Sequence, residues 1–334
     1  MTYKFHYRRY CIPFRNPVRT AHGLWSEREG LILRLEAPGG AVGWGEAAAV
    51  PGFGDETADA DEEACRALGD RLDAGQALPE ALECLRGALA SALDELSGVS
   101  RTASEPLWIS ALLPAGRAAL GALPALVESG FRTFKWKVGV GDLRDELALL
   151  DDVCAGLPAV AKLRLDANGA WDRRGAERWL ETCVGRPVEF VEQPVSRHRP
   201  GSEDLLLGLA GDYPTPVALD ESVAGGRDLE RWVGAGWPGV FVVKPSLLGN
   251  VPAALALLEK AGSSVVFSSA LETGIGARSA LRAAFSWRGA RRAAGFGVWP
   301  IFADSRFDGP RAGPFISQAD AERINPEELW NALS

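Results

Sequence analysis

The chain reads as an α/β protein, a (β/α)8-type TIM barrel preceded by a smaller α+β domain. Three observations predict this. The 334 residues are too many for one small domain and suit a barrel plus a second unit. From Leu107 onward, short apolar strand candidates begin near residues 107, 132, 161, 188, 216, 239, 264 and 295, and helical stretches such as Leu143–Cys154, Arg174–Val184 and Val251–Ala261 separate them. Charged residues then end consecutive strands: Asp166, Glu192, Asp220 and Lys244, at intervals of 26, 28 and 24 residues. That pitch is one strand, loop, helix and loop per step. In a barrel such strand ends converge at the C-terminal mouth, where the chemistry is kept.

Before Leu107 the rhythm differs. Residues 3–14 alternate as a first strand. Gly30–Glu36, an Ala-Pro-Gly-Gly turn and Ala41–Glu46 read as a β-hairpin. Asp55–Ala74 is helical in pattern, with Asp55-Glu-Thr as N-cap and acidic first turn. Pro79 opens a second helix that runs to about Leu96. Strands followed by helices predict an α+β domain over 1–100 and the barrel over 101–299. Residues 300–334 are expected to pack back on the first domain.

Composition narrows the function. The net charge of −8 and the lack of a basic patch argue against nucleic acid as a partner. No apolar run approaches the ~20 residues needed to span a bilayer, so no membrane association is expected. The basic N-terminus lacks the apolar stretch of a signal peptide, which points to the cytoplasm. Cys11, Cys65, Cys84, Cys154 and Cys183 are odd in number, scattered and without CxxC spacing. Free thiols are expected, not a disulfide framework or a zinc site. The sequence does not read out an oligomeric state.

The strand Phe131–Val138 carries the most information. Alternation puts Lys135 and Lys137 on one face and Phe134, Trp136 and Val138 on the other, so Trp136 should face the helices. Two inward ammonium groups are a poor core and a good way to hold a base beside a substrate. An edge strand with solvated charges is the plain alternative, but it leaves the ordered series of charges downstream unexplained. Three carboxylates around one mouth repel each other unless a cation sits among them. Their hard oxygens suit Mg2+, with Mn2+ as a possible substitute. A metal flanked by lysines suits removal of a proton α to a carboxylate, because cationic groups stabilise the enediolate charge as it forms. Nearby positive charge, including Arg164, lowers the pKa of a lysine base toward the working range.

In its order, Lys135-x-Lys137, Asp166, Glu192, Asp220 and Lys244, the chain resembles the enolase superfamily, muconate-lactonizing subgroup. The resemblance covers essentially the whole chain and implies an N-terminal α+β capping domain and a modified (β/α)7β barrel. Within the subgroup the chain is similar to the o-succinylbenzoate synthase family. Arg19-Thr-Ala-His-Gly, Gly43-Trp-Gly-Glu46, Pro51-Gly-Phe-Gly-Asp-Glu-Thr, Phe134-Lys-Trp-Lys-Val-Gly, Leu163-Arg-Leu-Asp-Ala-Asn-Gly and Ser268-Ser-Ala-Leu-Glu-Thr-Gly carry that similarity.

The resemblance implies a lyase that dehydrates 2-succinyl-6-hydroxy-2,4-cyclohexadiene-1-carboxylate, a small carboxylate, to o-succinylbenzoate in menaquinone or phylloquinone biosynthesis. Asp166, Glu192 and Asp220 would bind Mg2+. Lys137 would abstract the α-proton and then protonate the departing hydroxyl. Lys135 would keep Lys137 deprotonated, and Lys244 would stabilise the enediolate. An N-acylamino acid racemase or dipeptide epimerase, with Lys137 and Lys244 as opposed bases, uses the same residues and remains the alternative.

Further positions carry secondary expectations. Arg164, two residues before Asp166, faces the same way and serves either substrate or an ion pair inside the barrel. Asn168 and Glu221 sit beside the carboxylates and support them. Ser268 and Ser269 bind a substrate carboxylate. Arg19 and His22 belong to a loop which, with Pro51–Gly54, closes over the succinyl tail. Glu46, Glu189 and Glu272 have no such assignment, and Glu189 is read as a surface or structural residue facing away from Glu192.

Overall fold

The computed structural model describes residues 1–334 apart from 21–22, 74, 99–104, 312 and 334, and only the backbone of Arg19 and Thr20. The expected boundary between residues 100 and 101 lies outside the described residues.

The N-terminal part is a four-stranded antiparallel sheet in the order β3-β2-β1-β4, covered by two helices. Strand β1 spans Thr2–Thr20, β2 Gly23–Glu36 and β3 Val42–Ala47. Both long strands outrun the sequence reading because they pair with each other almost to their ends, from Lys4↔Glu36 to Thr20↔Gly23. Helix α1 covers Ala58–Leu68, with Thr57 as N-cap accepting from the Ala60 amide at 3.2 Å. The predicted helix to Ala74 stops there: Gly69 has φ 74°, and Arg71–Asp73 forms the short strand β4 against Thr2–Lys4. Helix α2, Glu83–Leu96, starts four residues after Pro79. It packs on β3 so closely that a Cβ on Gly45 would lie 1.9 Å from the Ala88 carbonyl oxygen.

Seven parallel strands follow in the order β12-β11-β10-β9-β8-β7-β6. They are β6 Ala111–Leu113, β7 Thr133–Lys137, β8 Lys162–Asp166, β9 Val188–Glu192, β10 Val217–Leu219, β11 Val240–Val243 and β12 Ser264–Phe267. A helix follows each: α3 Ala118–Glu128, α4 Leu143–Ala155, α5 Arg173–Thr182, α6 Ser202–Asp212, α7 Gly226–Gly234, α8 Val251–Lys260 and α9 Gly274–Ser286. The first barrel strand is displaced from the expected start. Leu107–Trp108 forms β5, which pairs antiparallel with a late strand, Phe315–Ile316.

The eighth barrel position is reduced to two residues. Ala294 bridges Ile109 and Gly295 bridges Ser268, both parallel, and they link β12 back toward β6. A Cβ on Gly295 would lie 2.6 Å from Ser268 Oγ, so the residue must be small. Among the described residues no barrel helix follows this position, since the helices that come after it lie in the C-terminal segment, and the arrangement is (β/α)7β.

Alternation sorts the barrel side chains. Trp136, Leu163, Leu165 and Val191 face the helices and join the large outer core, where Trp136 meets Trp179 edge-on at 6.4 Å. Phe190, Ala218, Val240, Val242 and Val266 fill the inside. The C-terminal segment includes α10 Gln318–Glu322 and α11 Pro326–Ala332. Phe302, Leu329 and Trp330 share a buried cluster with Tyr10, Ile12, Phe14 and Trp44, and Phe14 stacks on Phe302 at 5.6 Å. Among the described residues no helix is long and apolar enough to cross a membrane.

Candidate active site

Register builds the site. Lys137 pairs with Asp166 across β7 and β8, and Asp166 pairs with Glu192 across β8 and β9. Glu192 pairs with Ala218 of β10, so Asp220 stands just beyond that strand's end. Lys244 follows β11. Asp166, Glu192, Asp220 and Lys244 are all buried. Lys135 Nζ bridges two of the carboxylates, 2.8 Å from Asp166 Oδ2 and 2.7 Å from Glu192 Oε1. Lys244 Nζ pairs with Asp220 Oδ1 and lies 4.2 Å from the centre of the Phe53 ring. That ring comes from the loop between β3 and α1, so the N-terminal domain reaches the barrel mouth.

The electrostatics follow from burial and crowding. Burial and the charges of Asp166 and Asp220 push Glu192 up to about 8 against the pull of Lys135. Burial alone would lower Lys135, but Asp166, Glu192 and Asp220 outweigh it and hold its ammonium well above the usual lysine range. Burial, with Asp220 and Asp166 adding, lifts Glu221 to about 7. Three buried carboxylates on neighbouring strand ends therefore bring negative charge to one mouth, with Lys135 and Lys244 as their partners.

Among the described residues no three His, Cys, Asp or Glu side chains are gathered around a common point. Ammonium groups make those contacts instead. The donor set nonetheless fits a hard divalent ion: three carboxylates on adjacent strand ends, all oxygen donors, whose mutual repulsion such an ion would relieve. The buried oxygens Asn168 Oδ1 and Glu221 Oε2 also lack a hydrogen-bond partner among the described residues.

Asn168, with φ 44°, donates from its amide to Asp166 Oδ1 at 3.2 Å and from Nδ2 to Glu221 Oε1 at 3.0 Å. Ser268 is half-buried and tied to Gly295 of the closing position. Ser269 is turned into the protein, where its hydroxyl donates to Glu272 Oε2 at 2.9 Å and accepts from the Leu271 amide. His22 and the Arg19 side chain lie outside the described residues.

Arg164 shares the inward face but not the mouth. Its Nε donates to Glu189 Oε2 at 2.7 Å and its Nη1 to the Ala293 carbonyl at 2.7 Å. Both partners begin their strands, so the pair closes the barrel floor. Glu189 is not at the surface. The register shifts between Leu163↔Val188 and Arg164↔Phe190, and the extra residue of that bulge is Glu189. Burial opposes its ionisation, yet Arg164, Lys162 and Arg292 hold it below the usual carboxylate range.

Three contributors escaped the sequence reading. Gln193, fully buried with φ 38°, accepts from the amides of Asp220 and Ser222 at 3.1 Å each and so fixes the loop carrying Asp220. Glu46 accepts from Tyr10 Oη at 2.6 Å, from Thr273 N at 2.9 Å, from Gly276 N at 2.8 Å and from Thr273 Oγ1, which ties β3 to the start of α9. Arg28 donates to the carbonyls of Ala48 and Ala49 on one side and of Ala270 and Leu271 on the other. The sequence signal was slight: one charged residue, Glu46, between Gly45 and Ala47, while Arg28 lies between two glutamates and Gln193 is an uncharged residue beside Glu192.

A barrel of this strand order, with this series of charges at its mouth, defines a class of enzymes that act on protons α to carboxylates. The comparisons agree: the enolase C-terminal domain-like family model matches residues 119–312, and the MenC N-terminal domain model matches residues 2–93. The o-succinylbenzoate synthase of Thermosynechococcus vestitus is 39% identical over 338 residues, covering 99% of each chain. That of Yersinia enterocolitica is 31% identical over 80% of this chain and 82% of that protein. The crystal structure of o-succinylbenzoate synthase from Thermosynechococcus elongatus, complexed with Mg in its active site, matches with a TM-score of 0.85 at 38% identity, over 98% of this chain and 99% of that one. The L-Ala-D/L-Glu epimerase of Bacillus subtilis shares the fold, with a TM-score of 0.80 at 24% identity over 94% of this chain and 95% of that one. The chain belongs to the enolase superfamily, in its o-succinylbenzoate synthase family.

Proposed function

We propose that the chain dehydrates 2-succinyl-6-hydroxy-2,4-cyclohexadiene-1-carboxylate to o-succinylbenzoate, with Mg2+ as its cofactor, in menaquinone or phylloquinone biosynthesis. It is an enzyme, a carbon–oxygen hydro-lyase. The observation that carries this reading is the near-full-length match to an o-succinylbenzoate synthase, joined to the cluster of buried carboxylates and lysines at the barrel mouth.

In this reading Asp166, Glu192 and Asp220 hold the metal, which supplies positive charge where the substrate carboxylate gains electron density. Lys137 removes the α-proton and returns it to the departing hydroxyl as water leaves. Lys135, its neighbour two residues away on the same face, stays protonated beside the carboxylates. Lys244 faces the developing negative charge from the opposite side. Loss of water makes the ring aromatic, so the enzyme's main task is the first proton transfer. Asn168, Glu221 and Gln193 keep the carboxylates oriented. The substrate is a small-molecule carboxylate. The five free cysteines support a reducing compartment, the cytoplasm.

The test is turnover of the cyclohexadiene carboxylate with and without EDTA, on the wild-type enzyme and on Lys137→Ala. Fast, EDTA-sensitive formation of o-succinylbenzoate, lost in the variant while its circular dichroism is unchanged, is expected. Turnover retained by Lys137→Ala would remove Lys137 as the base. No wild-type turnover, with racemisation of N-acylamino acids or dipeptides in its place, would assign the chain to 1,1-proton transfer.

A further inference from the structure

The end of the barrel opposite the mouth carries a concentration of charge of the other sign. A cavity of about 200 Å3 lies there, between the starts of β7, β8 and β9 and the segment that leads into the eighth barrel position. Arg132, Thr133, Lys162, Glu189, Arg291 and Arg292 line it. Four cations and one carboxylate thus meet on a chain whose net charge is −8. The cluster does not stand out along the sequence, because the cations come from three separate segments.

The one carboxylate is fully engaged. Glu189 Oε1 takes Arg292 Nη1 at 2.6 Å and Lys162 Nζ at 3.5 Å, and Oε2 takes Arg164 Nε at 2.7 Å. Nothing of it is left for the other two guanidinium groups. Arg132 donates from Nη1 to the Phe131 carbonyl at 2.8 Å. Arg291 donates to the carbonyls of Glu105 and Phe285 at 3.4 and 3.3 Å, and the exposed Glu105 carboxylate is 4.0 Å from its Nη1. Arg164 Nη2 is buried without a partner among the described residues. Thr133 adds a donor of another kind. It lines the cavity at 7% exposure, and its hydroxyl makes no hydrogen bond among the described residues. A buried hydroxyl beside guanidinium groups that lack a carboxylate partner is satisfied by an oxyanion, which accepts from both.

Size and place define the ligand. The cavity has the volume of about seven waters, enough for a phosphate-like ion or a small carboxylate and too little for a nucleotide. Guanidinium forks match the paired oxygens of either group. Arg291 and Arg292 lead directly into Ala294 and Gly295, whose single bridges to Ile109 and Ser268 close the barrel. We propose that the barrel floor binds one small oxyanion, held by the Thr133 hydroxyl, Arg132 and Arg291, with Lys162 and Arg292 beside it. The anion ties the starts of β7 and β8 to the eighth position, where the sheet is joined by those bridges alone among the described residues. The site is independent of the reaction at the mouth and touches no reacting atom.

The test is equilibrium dialysis of radiolabelled sulfate, and separately of succinate, against the Mg2+-loaded enzyme near neutral pH, with ionic strength fixed by sodium chloride. The wild type is compared with Thr133→Val, which keeps shape and charge but removes the donor, and with the double variant Arg132→Ser/Arg291→Ser. One anion per chain is expected on the wild type. Its affinity should fall about tenfold in Thr133→Val and at least as far in the double variant. At roughly ten times its dissociation constant, the anion should raise the thermal midpoint of the wild type by about 2 °C more than that of the double variant. Retention of sulfate alone identifies a tetrahedral oxyanion as the ligand, and retention of succinate a carboxylate. A wild type that retains neither anion overturns the proposal. Equal affinity in all three proteins places the anion elsewhere, the mouth included, and overturns it as well. If the double variant fails to fold, Thr133→Val decides on the same criterion.

Discussion

Replacing Glu46 by alanine should loosen the joint between the N-terminal sheet and the barrel. Glu46 is buried on β3, and its carboxylate takes four hydrogen bonds, two of them from backbone amides that cannot turn away, Thr273 N and Gly276 N. Those amides open α9, where a carboxylate also meets the positive end of the helix dipole. The hydroxyls of Tyr10 and Thr273 can rotate toward other acceptors, but the two amides are left buried and unpaired at about 1–3 kcal/mol each. Part of the loss is returned. Glu272 is pushed up to about 7, mainly by burial and partly by Glu46, and it relaxes when that charge goes. The net loss is expected at about 3–5 kcal/mol, a fall in thermal midpoint of roughly 4–7 °C for a chain of this size. Glu46→Gln should lose about half as much, since one oxygen still accepts while the amide nitrogen faces a backbone donor. Scanning calorimetry on the wild type and both variants decides. A midpoint for Glu46→Ala within 2 °C of the wild type, about 1 kcal/mol, would falsify the view that this carboxylate joins the two parts.

The other predictions can be checked on the same preparations. Arg164→Met should lower the thermal midpoint, because Glu189 loses its buried partner at 2.7 Å, yet leave KM within about twofold; a large rise in KM with an unchanged midpoint would move Arg164 into the substrate site. Glu272→Gln should stabilise the protein increasingly between pH 4.5 and 7. The folded carboxyl there holds a proton that the unfolded chain releases, so wild-type stability declines over that window, by about 3 kcal/mol in total, and that of the amide variant does not. Equal midpoints at pH 5 and 8 in both proteins would contradict this. EDTA should abolish turnover, Mg2+ should restore it fully and Mn2+ at least in part; activity that survives exhaustive chelation would separate the reaction from the three carboxylates.

Sequence periodicity revealed the barrel because its signal is local. Each apolar run is followed by a charged residue and then by a helix, and the pitch repeats often enough to fix the order of strands. The same signal placed Lys137, Asp166, Glu192, Asp220 and Lys244 at or just beyond strand ends, with Lys135 two residues before Lys137 on the same strand. It failed where the determining contact is distant in the chain. Nothing near Glu46 indicates that three of its four hydrogen bonds come from beyond residue 270. Nothing near Arg28 indicates that it will bind carbonyls of both parts at once. The short eighth strand was visible only as an ambiguous run, since Ala294 and Gly295 are held by single bridges and selected for small size. The helix expected to continue to Ala74 ends at Gly69 because β1 offers Arg71–Asp73 a strand partner, a tertiary pairing that overrides local propensity.

Arg164 shows what alternation does and does not determine. A period of two assigns a side chain to a face, and Arg164 and Asp166 do share the inward one. It assigns no depth. The two residues are about 6.6 Å apart along the strand, and the Phe190 ring lies against the Arg164 guanidinium at 4.9 Å, part of the apolar layer it forms with Ala218, Val240, Val242 and Val266. A long side chain two residues from the mouth can turn either way. The bulge that brings Glu189 inward at the floor decides it, since a buried guanidinium must find a carboxylate and the carboxylates above are already engaged by Lys135 and Lys244. The barrel interior is thus layered, with an ion network at its floor, an apolar plug, and the reacting charges at its mouth. The plug keeps the floor guanidinium out of contact with the mouth carboxylates, whose oxygens are engaged by Lys135 and Lys244.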